Sequence, residues 1–126
     1  MSKTAITSPE LAPPVGPFSQ AIKVDGFLFL SGQVGQDPAT GKVVEGGIEA
    51  ETERIFQNLS AVLKAAGRSF DDVVRVGVFL TNITDFAAMN AIYAKHFSQP
   101  FPARTTIGAA ALPLGAYVEI DLVVKA

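Results

Sequence analysis

By type and spacing, Arg104 and Glu119 are the two residues of this chain best suited to act on one small polar ligand. Arg104 follows Pro102-Ala103. Proline cannot donate to a sheet ladder, so a strand begins just beyond it with Arg104 at its mouth. Glu119 belongs to a second predicted strand, in which Val118, Ile120, Leu122 and Val124 point one way and Tyr117, Glu119, Asp121 and Lys125 the other. If the two strands are neighbours, a guanidinium and a carboxylate face one cleft. A guanidinium fork there would bind a small carboxylate through paired hydrogen bonds. The alternative is a surface arginine on an edge strand, and the residues alone leave both readings open.

Other chemistries are excluded more simply. The chain has no cysteine, which removes disulfides, thiolate nucleophiles and cysteine–zinc sites. His96 is its single histidine, so no multi-histidine metal site forms within one chain. A serine–histidine–aspartate triad would have to use His96, and nothing places it beside a serine; next to Lys95 in a predicted helix, it reads as solvated.

The 126 residues make one domain, 1–126, of which about 1–17 form an extended lead-in rich in proline. Hydrophobic residues make up 48% and charged residues only 17%, a low charge density for so small a domain. That balance predicts apolar area buried between subunits, and hence a homo-oligomer. The net charge is −2 and the lysines and arginines are scattered, which argues against nucleic acid as a partner. The N-terminus lacks the apolar run of a signal peptide, and no stretch approaches a membrane span. The expected location is the cytoplasm.

The elements that must position Arg104 and Glu119 follow from periodicity. Ala21 to Val24, Asp25-Gly26 and Phe27 to Leu30 predict a hairpin with a two-residue type I′ turn, Gly26 taking positive φ. The second strand ends in Ser31-Gly32-Gln33, where Gly32 either permits close approach of a ligand or marks a strand end or bulge. Residues 48–66 carry a helical stripe of Ile48, Ile55, Phe56, Leu59, Val62, Leu63 and Ala66, stopped by Gly67. Glu49, Glu51 and Glu53 in its opening turns read as a solvated face without chemistry. A strand over residues 73–81 puts Val74, Val76, Val78 and Leu80 on one side. A second helix over 86–97, capped by Thr84 or Asp85, follows with Phe86, Met89, Asn90, Tyr93 and Phe97 as its stripe. Asn90 on such a stripe needs hydrogen-bond partners. The order is β-β-α-β-α-β-β, an α+β design with a mixed sheet and both helices on one face.

Four segments together resemble the RidA/YjgF family of reactive imine and enamine deaminases. They are Gly16-Pro17-Phe18-Ser19-Gln20-Ala21-Ile22, Leu30-Ser31-Gly32-Gln33, the stretch from Phe86 to Tyr93, and Pro102-Ala103-Arg104 with Val118-Glu119-Ile120. The resemblance runs from about residue 4 to the C-terminus, with the motifs in the family's order. It implies a chorismate-mutase-like fold assembled as a homotrimer, with the sheets forming an inner barrel-like wall and ligand clefts between subunits. It further implies that Arg104 grips a substrate carboxylate and Glu119 helps position the attacking water, while Phe18, Ser31, Gly32, Asn90 and Thr106 line the cleft. Two positions depart from the pattern. Phe18 replaces the more usual tyrosine and lacks its hydroxyl; Thr106 replaces a frequent cysteine. Thr105 also stands where a smaller or different residue is usual.

The reaction so implied is hydrolysis of 2-imino acids and their enamine tautomers, such as 2-iminobutanoate and 2-iminopropanoate from pyridoxal-phosphate-dependent dehydratases, to 2-keto acids and ammonia. A protonated imine is already electrophilic, so positioning and proton transfer suffice and no metal, cofactor or covalent nucleophile is expected. One rival is a trimer that binds a 2-keto acid through Arg104 without turnover. Another is the ribonuclease or translation-inhibitor activity attributed to some relatives, which the acidic balance disfavours; a chaperone role would need exposed apolar surface that the sequence does not locate.

Overall fold

The computed structural model describes residues 2–126. The chain runs β1 (Thr4–Ile6), β2 (Ala21–Val24), β3 (Phe27–Gln33), α1 (Gly47–Ala65), β4 (Val73–Leu80), α2 (Phe86–Tyr93), β5 (Ala103–Gly108) and β6 (Val118–Lys125). One six-stranded sheet has the order β1-β2-β3-β6-β4-β5. Every pairing is antiparallel except β4 with β5, so the sheet is mixed, as expected. The lead-in is not wholly irregular: β1 adds a strand to the five predicted, pairing Ala5 with Ile22.

The two helices lie on the sheet and close one core. Val118, Ile120, Leu122 and Val124 of β6 are buried beneath Ile55, Phe56, Leu59 and Val62 of α1, so the alternation read from the sequence sets this face correctly. α1 ends in a Schellman motif: Gly67 (φ 70°) donates to the Lys64 carbonyl and Arg68 to that of Leu63. α2 is shorter than predicted. It closes at Tyr93 and continues only as turns, in which the amides of Lys95 and His96 reach back three residues. Asp85 stands at the N-cap of α2 without a side-chain bond; the capping is done one turn earlier, where Asn82 Oδ1 accepts from the Thr84 amide.

Three local expectations change. In the β2–β3 turn the positive φ falls on Asp25 (53°) and not on Gly26, so the turn is not type I′; the Gly26 carbonyl is taken by the Ala126 amide. In β4 the register against β6 shifts between Val73 and Arg75. The extra residue puts Val74 outside and Val73 into the core, whereas strict alternation puts Val74 with Val76. His96 is not solvated: its ring stacks on Phe56 at 4.2 Å between centroids, and its Nε2 is buried without a partner.

Among the described residues no helix covers the other face of the sheet. Phe27, Phe29 and Ile107 stand exposed there, in the same rows as Val123, Phe79 and Glu119.

Candidate active site

β6 lies between β3 and β4, and each neighbour opens a space for one of its carboxylates. On β3, Gly32 lies directly against Glu119: an added Cβ would collide with its Oε2. On β4, Gly77 makes the same room for Asp121. The register between β3 and β6 also slips here, Leu30 pairing with Leu122 but Gln33 with Ile120, so Gly32 sits in a bulge that turns it towards Glu119. Both readings of this glycine therefore hold, bulge and close approach. Burial is the main cause that pushes the Glu119 carboxyl above its usual range, and the Asp121 carboxylate adds to it.

A cleft of about 700 Å³ opens beside Glu119. Phe18, Ser31 and Gly32 line it with Glu119, and its outer wall is the proline-rich segment of Leu11, Pro13, Pro14 and Val15 facing Pro113 and Leu114. Ser31 is held by two bonds, its hydroxyl donating to the Ser19 carbonyl (2.6 Å) and its amide to that of Gln20 (3.0 Å). Asn58 of α1 fixes the floor by donating to the carbonyls of Val34 (3.4 Å) and Gln36 (2.9 Å).

The second group of candidate residues lies elsewhere. β5 is an edge strand separated from β6 by β4, so the strands of Arg104 and Glu119 are not neighbours. Their side chains also take opposite faces. Arg104 shares a row with Val76 and Leu122, and Thr106 with Val78 and Ile120, all on the helix side; Glu119 shares a row with Phe79 and Ile107 on the open side. A single intrachain cleft holding both is thereby excluded.

Arg104 is nonetheless held in a defined place. Its Nη1 donates to Asn90 Oδ1 at 2.6 Å, and its guanidinium lies 4.6 Å from the Tyr93 ring centroid and 5.3 Å from that of Phe86. Burial raises the Tyr93 hydroxyl against the lowering effect of Arg104. Asn90 thus has the partner its place on the helix stripe demanded. Two residues beyond Arg104, the Thr106 hydroxyl is buried without a hydrogen-bond partner. Thr105 faces the opposite way and accepts from Arg75 Nη2 (2.6 Å).

The structure therefore gathers the candidate residues into two separate groups, Phe18, Ser31, Gly32 and Glu119 in one and Asn90, Arg104 and Thr106 in the other. Sequence reasoning missed Tyr93 as a support for Arg104, although it lies three residues after Asn90 on the same stripe. It also missed the lead-in prolines as a cleft wall, which no periodicity announces. Among the described residues no cluster of three or more histidine, aspartate or glutamate side chains could hold a metal ion.

A sequence profile of the endoribonuclease L-PSP family matches residues 9–126. The chain belongs to that family, also called RidA/YjgF. A 2-iminobutanoate/2-iminopropanoate deaminase from Dermatophagoides farinae is 45% identical over 125 residues, 98% of either chain. The human protein of the same description is 44% identical over 109 residues, 86% of this chain and 80% of its own. Among solved structures, RidA from a Psychrobacter species superposes with a TM-score of 0.92 at 40% identity, covering 98% of this chain and 99% of that one.

Proposed function

We propose that this protein hydrolyses 2-imino acids and their enamine tautomers to 2-keto acids and ammonia, as the names of its relatives in mite and human describe for them. The observation that carries the reading is the pairing of two preorganised but separate groups. A half-buried carboxylate with a raised pKa stands at the foot of a cleft, and a guanidinium is braced by Asn90 and Tyr93 on an edge strand.

The two half-sites join when copies of the chain associate, with β5 of one copy presenting Arg104 to the Glu119 cleft of another. The uncovered, apolar sheet face and the low charge density support such an assembly, and the family resemblance makes it a homotrimer. Arg104 then takes the substrate carboxylate in a bidentate fork, and Thr106 offers its free hydroxyl beside it. Water adds to the carbon of the protonated imine, its proton passing to Glu119 and on to the amine nitrogen. Collapse of the carbinolamine breaks the C–N bond and releases ammonium and the 2-keto acid. A carboxyl raised by burial suits that exchange, because it takes up a proton more readily than an ordinary carboxylate and can still return it. The ribonuclease reading suggested by the family's description has a net charge of −2 against it.

The test generates 2-iminobutanoate with a threonine dehydratase and traps the surviving imine with semicarbazide. Wild-type protein is expected to deplete the trapped imine in proportion to its concentration, and Arg104→Ala to lose that effect. No depletion by wild type, with a 2-keto acid still bound through Arg104, would make the protein a carboxylate-binding one instead.

A further inference from the structure

Glu51 is the one acid of α1 taken out of water. Glu49 is exposed and Glu53 pairs at the surface with Lys95 (3.6 Å), but Glu51 is only 3% exposed. Its Oε1 accepts from the Tyr117 amide at 2.8 Å, and the neighbouring Val118 amide favours the charged form of the same carboxylate. The Tyr117 amide lies just before β6, and β3 pairs with β6 only as far as Ile120, so the ladder gives this stretch no acceptor from β3. Glu51 supplies the missing acceptor from 66 residues away in the chain. On its other side, Gly35 approaches so closely that a Cβ there would stand 2.8 Å from the Glu51 backbone.

What this clamp holds matters for the cleft. Glu119 follows Tyr117 by two residues, and Pro113 and Leu114, which rim the cleft, precede it by three or four. Their link is tightly turned, with Leu114 at φ 60° and Gly115 at φ 67°, so a fixed far end transmits directly to the rim. A buried carboxylate is costly unless its hydrogen bonds are made, and the one made here is to this backbone. Asp85 is the other charged group facing it, and opposes its ionisation.

We propose that Glu51 is a positioning residue for the reaction: by holding the Tyr117 amide at the start of β6 it sets Glu119 against Gly32 and fixes the Pro113–Leu114 rim. The proposal rests on the deaminase reading for the step that Glu119 performs.

The experiment combines imine-trapping kinetics on Glu51→Gln, Glu51→Asp and Glu51→Ala, each alone and with Glu119→Gln, with 13C NMR titration of the Glu119 carboxyl. Glu51→Gln keeps an acceptor oxygen and is expected to hold kcat within about threefold. Glu51→Asp, one methylene short, and Glu51→Ala are expected to lower kcat about tenfold or more with little change in KM, and to shift the Glu119 titration. In the Glu119→Gln background they should add nothing. Losses of equal factor in both backgrounds, or an unaltered kcat, would overturn the proposal. If Glu51→Ala fails to fold, Glu51→Asp decides it. If wild type consumes no imine, the deaminase reading fails, and the Glu119 resonance still decides the positioning: an unmoved titration in Glu51→Asp overturns it and a moved one supports it.

Discussion

Gly32 and Glu119 occupy the same space, in the sense that a side chain at one excludes the carboxylate of the other: a Cβ on Gly32 would overlap Oε2 and lie 2.9 Å from Cδ. The backbone of Gly32 lies outside the left-handed region, so alanine is conformationally permitted there and the conflict is one of volume. Gly32→Ala should therefore displace Glu119 while leaving the sheet intact. The expected outcome is a fall in kcat of roughly ten- to a hundredfold, as for other small misplacements of a reacting group. Steady-state imine trapping with a parallel melting curve checks it; a lost melting transition, or unchanged kcat, would refute the steric account.

Asn90 braces Arg104 with a neutral acceptor at 2.6 Å, leaving the positive charge for a ligand. Asn90→Ala should let the guanidinium wander over Tyr93 and Phe86, raising KM about tenfold with a smaller effect on kcat. Asn90→Asp should do worse in KM, because an aspartate neutralises the guanidinium and competes with the substrate carboxylate. A KM for the aspartate variant below that of the alanine variant would contradict this assignment.

Much of the site was legible in the sequence, and the part that was not has identifiable causes. The alternation of Val118, Ile120, Leu122 and Val124 placed Glu119 off the core face correctly, because a period of two leaves only that choice. The same rule could not place Arg104. Period fixes that Arg104 and Thr106 share a side, but which side depends on the parallel pairing of β5 with β4, a non-local contact. Val74 was misassigned because a bulge adds one residue without changing composition. Glu51 carried a signal that composition obscured: it lies four residues before Ile55 and eight before Leu59, on the apolar stripe itself, unlike Glu49. A charge on that stripe marks a buried partner across the fold.

His96 provides a pH signature of the core. Burial lowers its pKa below 6.5, with Glu53 opposing and Lys95 reinforcing the shift, and its ring stacks on Phe56. As pH falls below about 6.5 the unfolded chain takes up this proton before the native one, so the neutral histidine's contribution is present above that pH and is lost as pH falls. The carboxyls of Glu51, Glu119 and Asp121 are raised, which gives the opposite slope: their native forms hold protons longer, and stability declines as pH rises from about 4 towards their native values. His96→Phe leaves those carboxyls in place and removes only the first effect. Its stability relative to wild type, measured by urea unfolding, should therefore rise steadily from pH 7.5 to pH 5. A difference independent of pH would show that His96 keeps its proton equilibrium on folding.

The opposite faces of Arg104 and Glu119 give the sharpest prediction about assembly. If each working site takes Arg104 from one copy and Glu119 from its neighbour, two impaired variants can repair one another. Arg104→Ala and Glu119→Gln, each of which retains only residual activity alone, are unfolded together at equal amounts and refolded. In a randomly mixed ring, half of the Arg104 positions and half of the Glu119 positions facing them are intact, so about one quarter of the sites are whole. Activity should recover to roughly that fraction of wild type. A site built within one chain would leave the mixture as inactive as its parts, since every chain then carries a defect. The sheet order already argues against that outcome, because β4 stands between the two strands and the two side chains leave the sheet in opposite directions.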